Sequence, residues 1–167
     1  MFYEPKNGHA LSHDPLGAIV VPRPIGWIST LSAESVPNLA PYSFFNAVAY
    51  HPPQVMFSAT GNHRLGGLKD AVVDAQTTGE FVVNLATCEL KEQMNASSVP
   101  APHDVDEFTY AGLTKQESML VKCPHVAESP IHLECRYIQS LDMPSDDPDN
   151  ANTIVFGEVI GVYIDDR

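Results

Sequence analysis

The first third of the chain alternates short apolar runs with turn-forming residues, a pattern typical of β-strands and their connections. The runs over 18–21, 24–30, 38–45 and 54–60 are predicted to be extended. Residues 33–37 form a predicted polar turn. His51-Pro52-Pro53 separates the last two runs, because proline is excluded from central strands. Several short strands with frequent turns predict an antiparallel barrel or sandwich.

Helical spacing begins after these strands. Leu68, Ala71, Val72 and Ala75 follow a 3-4 spacing, which predicts a helix over 68–75 that Gly79 closes. The later pattern predicts a buried strand over 80–86, short helices over 89–96 (capped by Thr87) and 105–112, a proline-rich loop over 99–104, and long strands over 131–141 and 153–164. An aspartate-rich loop, 142–152, joins the last two strands and includes Asp149.

The composition fits one globular domain over 1–167. Hydrophobic residues make up 44% and charged residues 18%, which excludes a disordered chain. No apolar run approaches the roughly 20 residues that cross a bilayer, and the N-terminus lacks the features of a secretory signal. We therefore expect a cytoplasmic protein with no membrane partner. Cys88, Cys123 and Cys135 are too few and too widely spaced to predict disulfides or a zinc site.

The charge distribution narrows the choice of ligand. A net charge of −12 disfavours nucleic acid as a partner. Between Lys6 and Lys91 the only cationic side chains are Arg23, Arg64 and Lys69. In an acidic protein an anionic ligand needs a locally positive site, and these three residues are the candidates to form it. The alternative is three scattered surface charges, and sequence position alone leaves both interpretations open.

Two stretches offer polar groups beside predicted strands. In 23–30, Ser29 and Thr30 provide hydroxyl groups and Arg23 provides charge for a phosphate or a ring edge. The alternative is that these hydroxyls only satisfy a turn. In 38–46, backbone amides beside small residues suit a planar heterocycle, whereas the alternative is an aromatic-rich core strand.

A third stretch, 58–70, combines a strand end, a glycine-rich turn and a helix that begins near Lys69. A helix start exposes free N–H groups and the positive end of the helix dipole, so it suits an anion. Arg64 adds a second full charge. The glycine spacing matches neither GxGxxG nor a Walker loop, which removes a tightly held dinucleotide and NTP hydrolysis as leading hypotheses.

Other candidate sites are weaker. His9 and His13 precede Pro15 near the N-terminus, and His103 and Asp104 lie in a loop with no third ligand. The 142–152 loop lacks the glycine and glutamate of a calcium loop. The absence of a Gly-x-Ser-x-Gly elbow leaves a hydrolase without support. We therefore predict no metal site and no catalytic side chain of the Ser/His/Asp type.

Taken together, five pieces resemble the flavin reductase-like family of FMN-binding split barrels, closest to its flavoredoxin-like branch. They are Arg-Pro-Ile-Gly-Trp-Ile-Ser-Thr (23–30), Asn-Leu-Ala-Pro-Tyr-Ser-Phe-Phe-Asn (38–46), Pro-Pro-Gln-Val-Met-Phe-Ser (52–58), Lys-Asp followed by Thr-Gly-Glu-Phe-Val-Val-Asn (69–70 and 78–84), and Ala-Glu-Ser-Pro-Ile-His-Leu-Glu-Cys (127–135). Their order and spacing over most of the chain are more specific than any single piece.

The resemblance implies a mainly β, antiparallel split barrel with a few short peripheral helices, and it implies a set of cofactor contacts. The isoalloxazine ring and ribityl chain would lie against Trp27, Ile28, Ser29, Thr30, Asn38, Leu39, Ala40, Pro41, Tyr42 and Ser43. The phosphate would lie among Ser58, Ala59, Thr60, Arg64 and Lys69, with Arg23 as a further cofactor contact.

Two departures from the family pattern bear on the site. Lys-Asp is usually followed by Thr in this family, whereas this chain has Ala71, so Arg64 and Lys69 should matter more. Relatives also continue beyond the strand that ends in Ile164-Asp165-Asp166-Arg167, so the chain is expected to be a shortened form.

The implied activity is an NAD(P)H:flavin oxidoreductase in which NADH or NADPH binds transiently over FMN and electrons pass to free flavin, oxygen or a partner protein. Two alternatives remain: a flavoredoxin-like electron carrier without NAD(P)H oxidation, and an FMN-free barrel with a structural or interaction role. The resemblance also implies a homodimer. Phe44, Phe45, Val48 and Tyr50 are compatible with a buried interface and equally with a monomer core.

Overall fold

The computed structural model describes residues 1–147 and 150–166. Nine strands and four short α-helices make up this part of the chain, after a 3₁₀ turn at Pro5–Asn7. The elements are α1 (Pro15–Ile19), β1 (Gly26–Leu31), β2 (Pro37–Tyr42), β3 (Phe45–Tyr50), β4 (Pro53–Thr60), α2 (Asp70–Thr78), β5 (Glu80–Asn84), α3 (Lys91–Ala96), α4 (Glu107–Tyr110), β6 (Lys115–Gln116), β7 (His125–Val126), β8 (Ile131–Met143) and β9 (Asn152–Ile164).

Seven strands form one antiparallel sheet in the order β2-β1-β5-β8-β9-β4-β3. The start of β1, the second strand from one end of the sheet, packs against the start of β3 at the other end, so the sheet curves round on itself. Gly26 makes this approach possible, because a Cβ there would lie 2.6 Å from Cδ2 of Phe45. The predicted mainly β, antiparallel fold is therefore confirmed.

The barrel core lies between the curved sheet and α2. Phe57 of β4 and Phe81 of β5 are fully buried and pack edge to face, with ring centroids 5.4 Å apart. Phe81 fits against β9 only because position 157 is glycine, where a Cβ would meet the ring at 2.4 Å. Helix α2 buries Ala71, Val72 and Ala75 in the same core. A second cluster on the other face of β1 contains Trp27, Leu39, Phe108, Leu113 and Val126.

Most predicted elements agree with the structure. Helix α2 ends as predicted at Gly79, which has a left-handed conformation (φ 79°) and donates its N–H to the Ala75 carbonyl. Strands β5, β8 and β9 occupy the predicted segments. Part of the 142–152 loop, Pro148 and Asp149, lies outside the described residues, as does Arg167.

Three local predictions are wrong. The predicted strand over 18–21 is replaced by α1 and irregular chain, because Asp14 caps the Leu16 N–H and Pro15 opens a helical turn. The predicted extended segment 38–45 is two strands, since the chain bends at Ser43 and Phe44 before β3. Helix α3 begins at Lys91, and its N-cap, Leu90, makes no side-chain cap bond, so Thr87 does not cap it.

Candidate functional site

A cavity of about 340 Å³ lies between the β2–β3 bend, the end of β4, the segment before α2 and the loop after α3. This volume is at the lower end of the range for small-molecule sites. Its lining residues are Asn38, Ala40, Pro41, Tyr42, Ser43, Phe44, Ser58, Thr60, His63, Arg64, Lys69, Asp70, Ser97, Ser98, Val99, Pro100, Ala101 and Glu107.

Nine residues predicted from sequence line this cavity. They come from two of the three predicted stretches and are Asn38, Ala40, Pro41, Tyr42, Ser43, Ser58, Thr60, Arg64 and Lys69. The fold therefore brings the 38–43 and 58–69 stretches together, although no strand pairing joins β2 directly to β4 among the described residues.

Seven predicted residues do not line the cavity, and their role as cofactor contacts stays a prediction. They are Arg23, Trp27, Ile28, Ser29, Thr30, Leu39 and Ala59. All but Arg23 are buried in the barrel wall. The Ser29 hydroxyl donates to the Pro124 carbonyl, and the Thr30 hydroxyl donates to Asp74 at 2.7 Å, so both groups already have structural partners.

Trp27 is fully buried and bonds to a residue of the cavity lining. Its indole N–H donates to the Ser97 hydroxyl at 2.9 Å in a buried hydrogen bond. Ser97 begins the segment 97–104, named here the wall loop, whose first five residues line the cavity. Trp27 therefore fixes the start of this wall.

Arg23 has a comparable supporting position. Its guanidinium donates to the carbonyls of Gly17 and Val20 at 2.7 and 2.6 Å, and it lies 5.6 Å from the ring centroid of Phe44. Phe44 lines the cavity, so Arg23 joins the α1 segment to that side of the site.

The cationic side of the cavity is formed by Arg64, Lys69 and the start of α2. Arg64 donates one guanidinium N–H to the Pro100 carbonyl at 2.8 Å. Neither Arg64 nor Lys69 forms an ion pair with a described residue. Lys69 is the N-cap position of α2, whose first N–H groups lack intrahelical partners. The donor set of two cations, a helix N-terminus and the hydroxyls of Ser58 and Thr60 suits a phosphate.

The cavity lining also contains acidic groups. Glu107, in α4, accepts the Leu39 backbone N–H at 3.1 Å, and burial raises the pKa of its carboxyl to about 7. Burial also raises the pKa of the Tyr42 phenol, as do the charges of Asp70 and Glu107. The phenol therefore stays protonated at neutral pH and offers the cavity a hydrogen-bond donor.

His63, Asp70 and His103 form a cluster at the cavity edge, with one ligand-type atom of each lying within 4.8 Å of the others. From the sequence, no third ligand is expected beside His103 and Asp104, whereas the structure places His63 and Asp70 next to His103. The Leu65 N–H donates to Nδ1 of His63, so the proton on this imidazole lies at Nε2 and is donated to the Ala101 carbonyl at 2.9 Å. This pattern leaves His63 no free lone pair for a metal ion.

The wall loop is the part of the site that sequence reasoning missed. The sequence pattern predicts only a proline-rich loop over 99–104, and it does not mark Glu107, His63 or Asp70 as site residues. His63 and Asp70 are adjacent in sequence to the predicted cations Arg64 and Lys69, which is the one indication that the sequence offers. The wall loop is distant in sequence from these residues and carries no motif.

The fold and the cavity define a small β-barrel with a site suited to an anionic ligand. A model of the "Flavin reductase like domain" family matches residues 17–167, so the chain belongs to the flavin reductase-like family. This confirms the resemblance found in the sequence, and it supports a flavin-related oxidoreductase function.

The chain is also similar to individual known proteins. An uncharacterized protein of Aquifex aeolicus is 39% identical over 151 residues, which span 89% of this chain and 72% of the relative. The crystal structure of nitrilotriacetate monooxygenase component B from Bacillus cereus superposes with a TM-score of 0.87 at 27% identity, over 99% of this chain and 82% of that one. Flavoredoxin of Desulfovibrio vulgaris shares the fold, with a TM-score of 0.74 at 18% identity over 95% of this chain and 76% of that one.

No helix among the described residues is long and apolar enough to span a membrane.

Proposed function

We propose that this protein binds FMN in the cavity and acts as an NAD(P)H-dependent flavin oxidoreductase. The observation that carries the proposal is the joining of Arg64, Lys69, the α2 N-terminus and two hydroxyl side chains at one cavity in a protein of net charge −12. A phosphate monoester is a dianion at neutral pH, so this corner favours FMN over a flavin without phosphate.

The phosphate would be held by Arg64, Lys69, Ser58 and Thr60. Arg64 uses one of its five N–H donors on Pro100, which leaves four for a ligand. The Thr that usually follows Lys-Asp in the family would stand at position 71. Here Ala71 is fully buried in the core, so the cations and the helix amides would carry the binding.

The ring and its sugar chain would lie along β2 and the following bend. Asn38, Tyr42 and Ser43 supply polar side chains there. The small side chains of Ala40 and Pro41 would leave room for a flat ring to pack against the strand. When bound, FMN supplies the capacity to accept hydride and pass on electrons. The protein residues orient it, exclude water and supply hydrogen-bond donors from Tyr42 and from backbone amides.

FMN titration tests the binding proposal. Purified protein should quench flavin fluorescence on addition of FMN and show a flavin absorption spectrum. Protein that remains colourless, with no quench at any FMN concentration, would refute it.

NAD(P)H oxidation is a separate proposal with its own test. Aerobic consumption of NADH or NADPH by the FMN-loaded protein should exceed the rate with free FMN alone. A loaded protein without this activity would favour the flavoredoxin-like electron carrier, and a protein that never binds FMN would favour the structural or interaction role.

We further propose a homodimer. Val48 and Tyr50 on the edge strand β3 are 46% and 82% exposed, and Ile19 and Val21 near α1 are 69% and 58% exposed. An exposed edge strand and exposed apolar side chains are each features of protein interfaces. Phe45, in contrast, packs against the core. Elution at the monomer mass in gel filtration would contradict the dimer. The single-domain organisation and the cytoplasmic location stay predictions.

A further inference from the structure

Asp70 presents a conflict within the proposed phosphate site. It is the first residue of α2, directly follows Lys69, and lines the same cavity as Lys69 and Arg64. A carboxylate at this position can itself occupy the positive end of the helix dipole and pair with both cations. An Asp70 free to do so would compete with an anionic ligand.

The His103 imidazole binds the Asp70 carboxylate, and the His63 imidazole lies beside it with its own N–H donated to Ala101. Nδ1 of His103 lies 2.5 Å from Oδ1 of Asp70, and Nε2 of His63 lies 3.6 Å from Oδ2. A carboxylate only accepts hydrogen bonds, so the His103 ring donates its Nδ1–H. The two imidazoles stack with centroids 3.9 Å apart and 20° between their planes. Each carboxylate oxygen of Asp70 therefore faces an imidazole.

His103 also lines a second cleft. That cleft shares Asn38 and Asp70 with the cavity, and it is otherwise lined by His103 and by acidic, small polar and valine side chains: Ser32, Glu34, Val36, Val73, Asp74 and Asp104. Without the His103 imidazole, Asp70 would face the carboxylates of this cleft on one side and the cations of the cavity on the other. Electrostatics would then drive Asp70 toward Lys69 and Arg64.

We propose that His103 is a positioning residue for phosphate recognition: it holds the Asp70 carboxylate on the wall loop and so keeps Arg64 and Lys69 available to the ligand. The inference rests on the proposed function, since the ligand is the FMN phosphate. It assigns the wall loop a role in selecting the phosphorylated flavin over riboflavin.

A double-mutant cycle tests the proposal, with FMN and riboflavin as probes and fluorescence quenching as the readout. His103 is exposed, so His103→Ala is expected to fold. It should weaken FMN binding about tenfold, equivalent to about 1.4 kcal/mol, and change riboflavin binding less than about twofold. His103→Gln, which retains a side-chain N–H donor, should recover most of the loss.

The double variant Asp70→Asn/His103→Ala should bind FMN like Asp70→Asn alone, because no carboxylate remains to be held. His13→Ala, which removes an exposed histidine outside the cavity lining, is the matched control and should bind like the wild type.

Three outcomes would overturn the inference while leaving the proposed function intact. The first is FMN binding by His103→Ala equal to wild type. The second is an equal loss for FMN and riboflavin. The third is a double variant as weak as His103→Ala, which would indicate disruption of the wall loop and not release of Asp70. Wild-type protein that binds no FMN would refute the proposed function and the inference with it.

Discussion

Replacing Arg64 and Lys69 together with alanine should remove most of the affinity for FMN. Both side chains line the cavity beside the α2 N-terminus, and neither is committed to an ion pair with a described residue. A hydrogen bond to a charged group contributes about 1.5–3 kcal/mol. Arg64 is exposed, so the lower value applies, and the pair should cost about 3 kcal/mol, or roughly a 150-fold weaker Kd.

Fluorescence quenching with FMN and riboflavin in parallel measures this effect. Riboflavin has no phosphate, so its Kd should change less than about threefold in the same variant. Lys91→Ala/Lys122→Ala is the matched control, because it removes the same charge from two exposed positions outside the cavity lining. An FMN Kd within about threefold of wild type, or an equal loss in the control pair, would refute the assignment of these cations to the phosphate.

Three further predictions concern stability and local order. Gly157→Ala should lower the free energy of unfolding by about 1–3 kcal/mol in urea denaturation, because the added methyl group would lie 2.4 Å from the Phe81 ring. In the control Gly17→Ala the methyl group meets no atom within 4 Å, so stability should change little. Burial raises the pKa of Glu107 to about 7 from an unfolded value of about 4.3, so the folded state should lose stability as pH rises between these values. Burial also raises the pKa of Asp74 to about 6, so Glu107→Gln should reduce that loss and leave the part due to Asp74, and a variant whose stability follows the wild-type pH profile would contradict the cause. The Glu134 carboxylate accepts hydrogen bonds from the backbone N–H groups of Met119, Leu120 and Val121. Glu134→Ala removes this acceptor, so hydrogen exchange of the three amides should accelerate. Unchanged protection would show that the carboxylate does not hold the loop.

The sequence predicts the sheet better than it predicts the chain preceding β1. Strands β8 and β9 are both 13 residues long, β9 is rich in β-branched residues, and the two strands pair over most of their length. The run over 18–21 is equally β-branched, yet it has no neighbouring strand, so the Asp14 cap and Pro15 decide its structure locally. Propensity without a pairing partner is a weak determinant of strand formation.

The candidate site is only partly visible in the sequence. The 38–43 and 58–69 stretches contain the small residues, hydroxyls and cations that a phosphate ligand needs, and both reach the cavity. The wall loop reaches it because Trp27, His63 and Arg64 bond to Ser97, Ala101 and Pro100. These bonds join segments that are 36 to 70 residues apart, and no local spacing encodes them.

The sequence also does not distinguish the motif residues that line the cavity from those buried behind it. Side chains alternate between the two faces of a strand, so a motif read as one block places half of its members in the wall. Leu39 and Ala59 are buried, whereas their neighbours Ala40 and Ser58 line the cavity. The family motif identifies the strand, and the register decides which side chains can touch a ligand.

A crystal structure of the protein soaked with FMN tests the central claim most directly. We predict electron density for the phosphate among Ser58, Arg64 and Lys69, with the ring extending along β2. FMN bound elsewhere, or a cavity that stays free of flavin at saturating concentration, would contradict the assignment of this site.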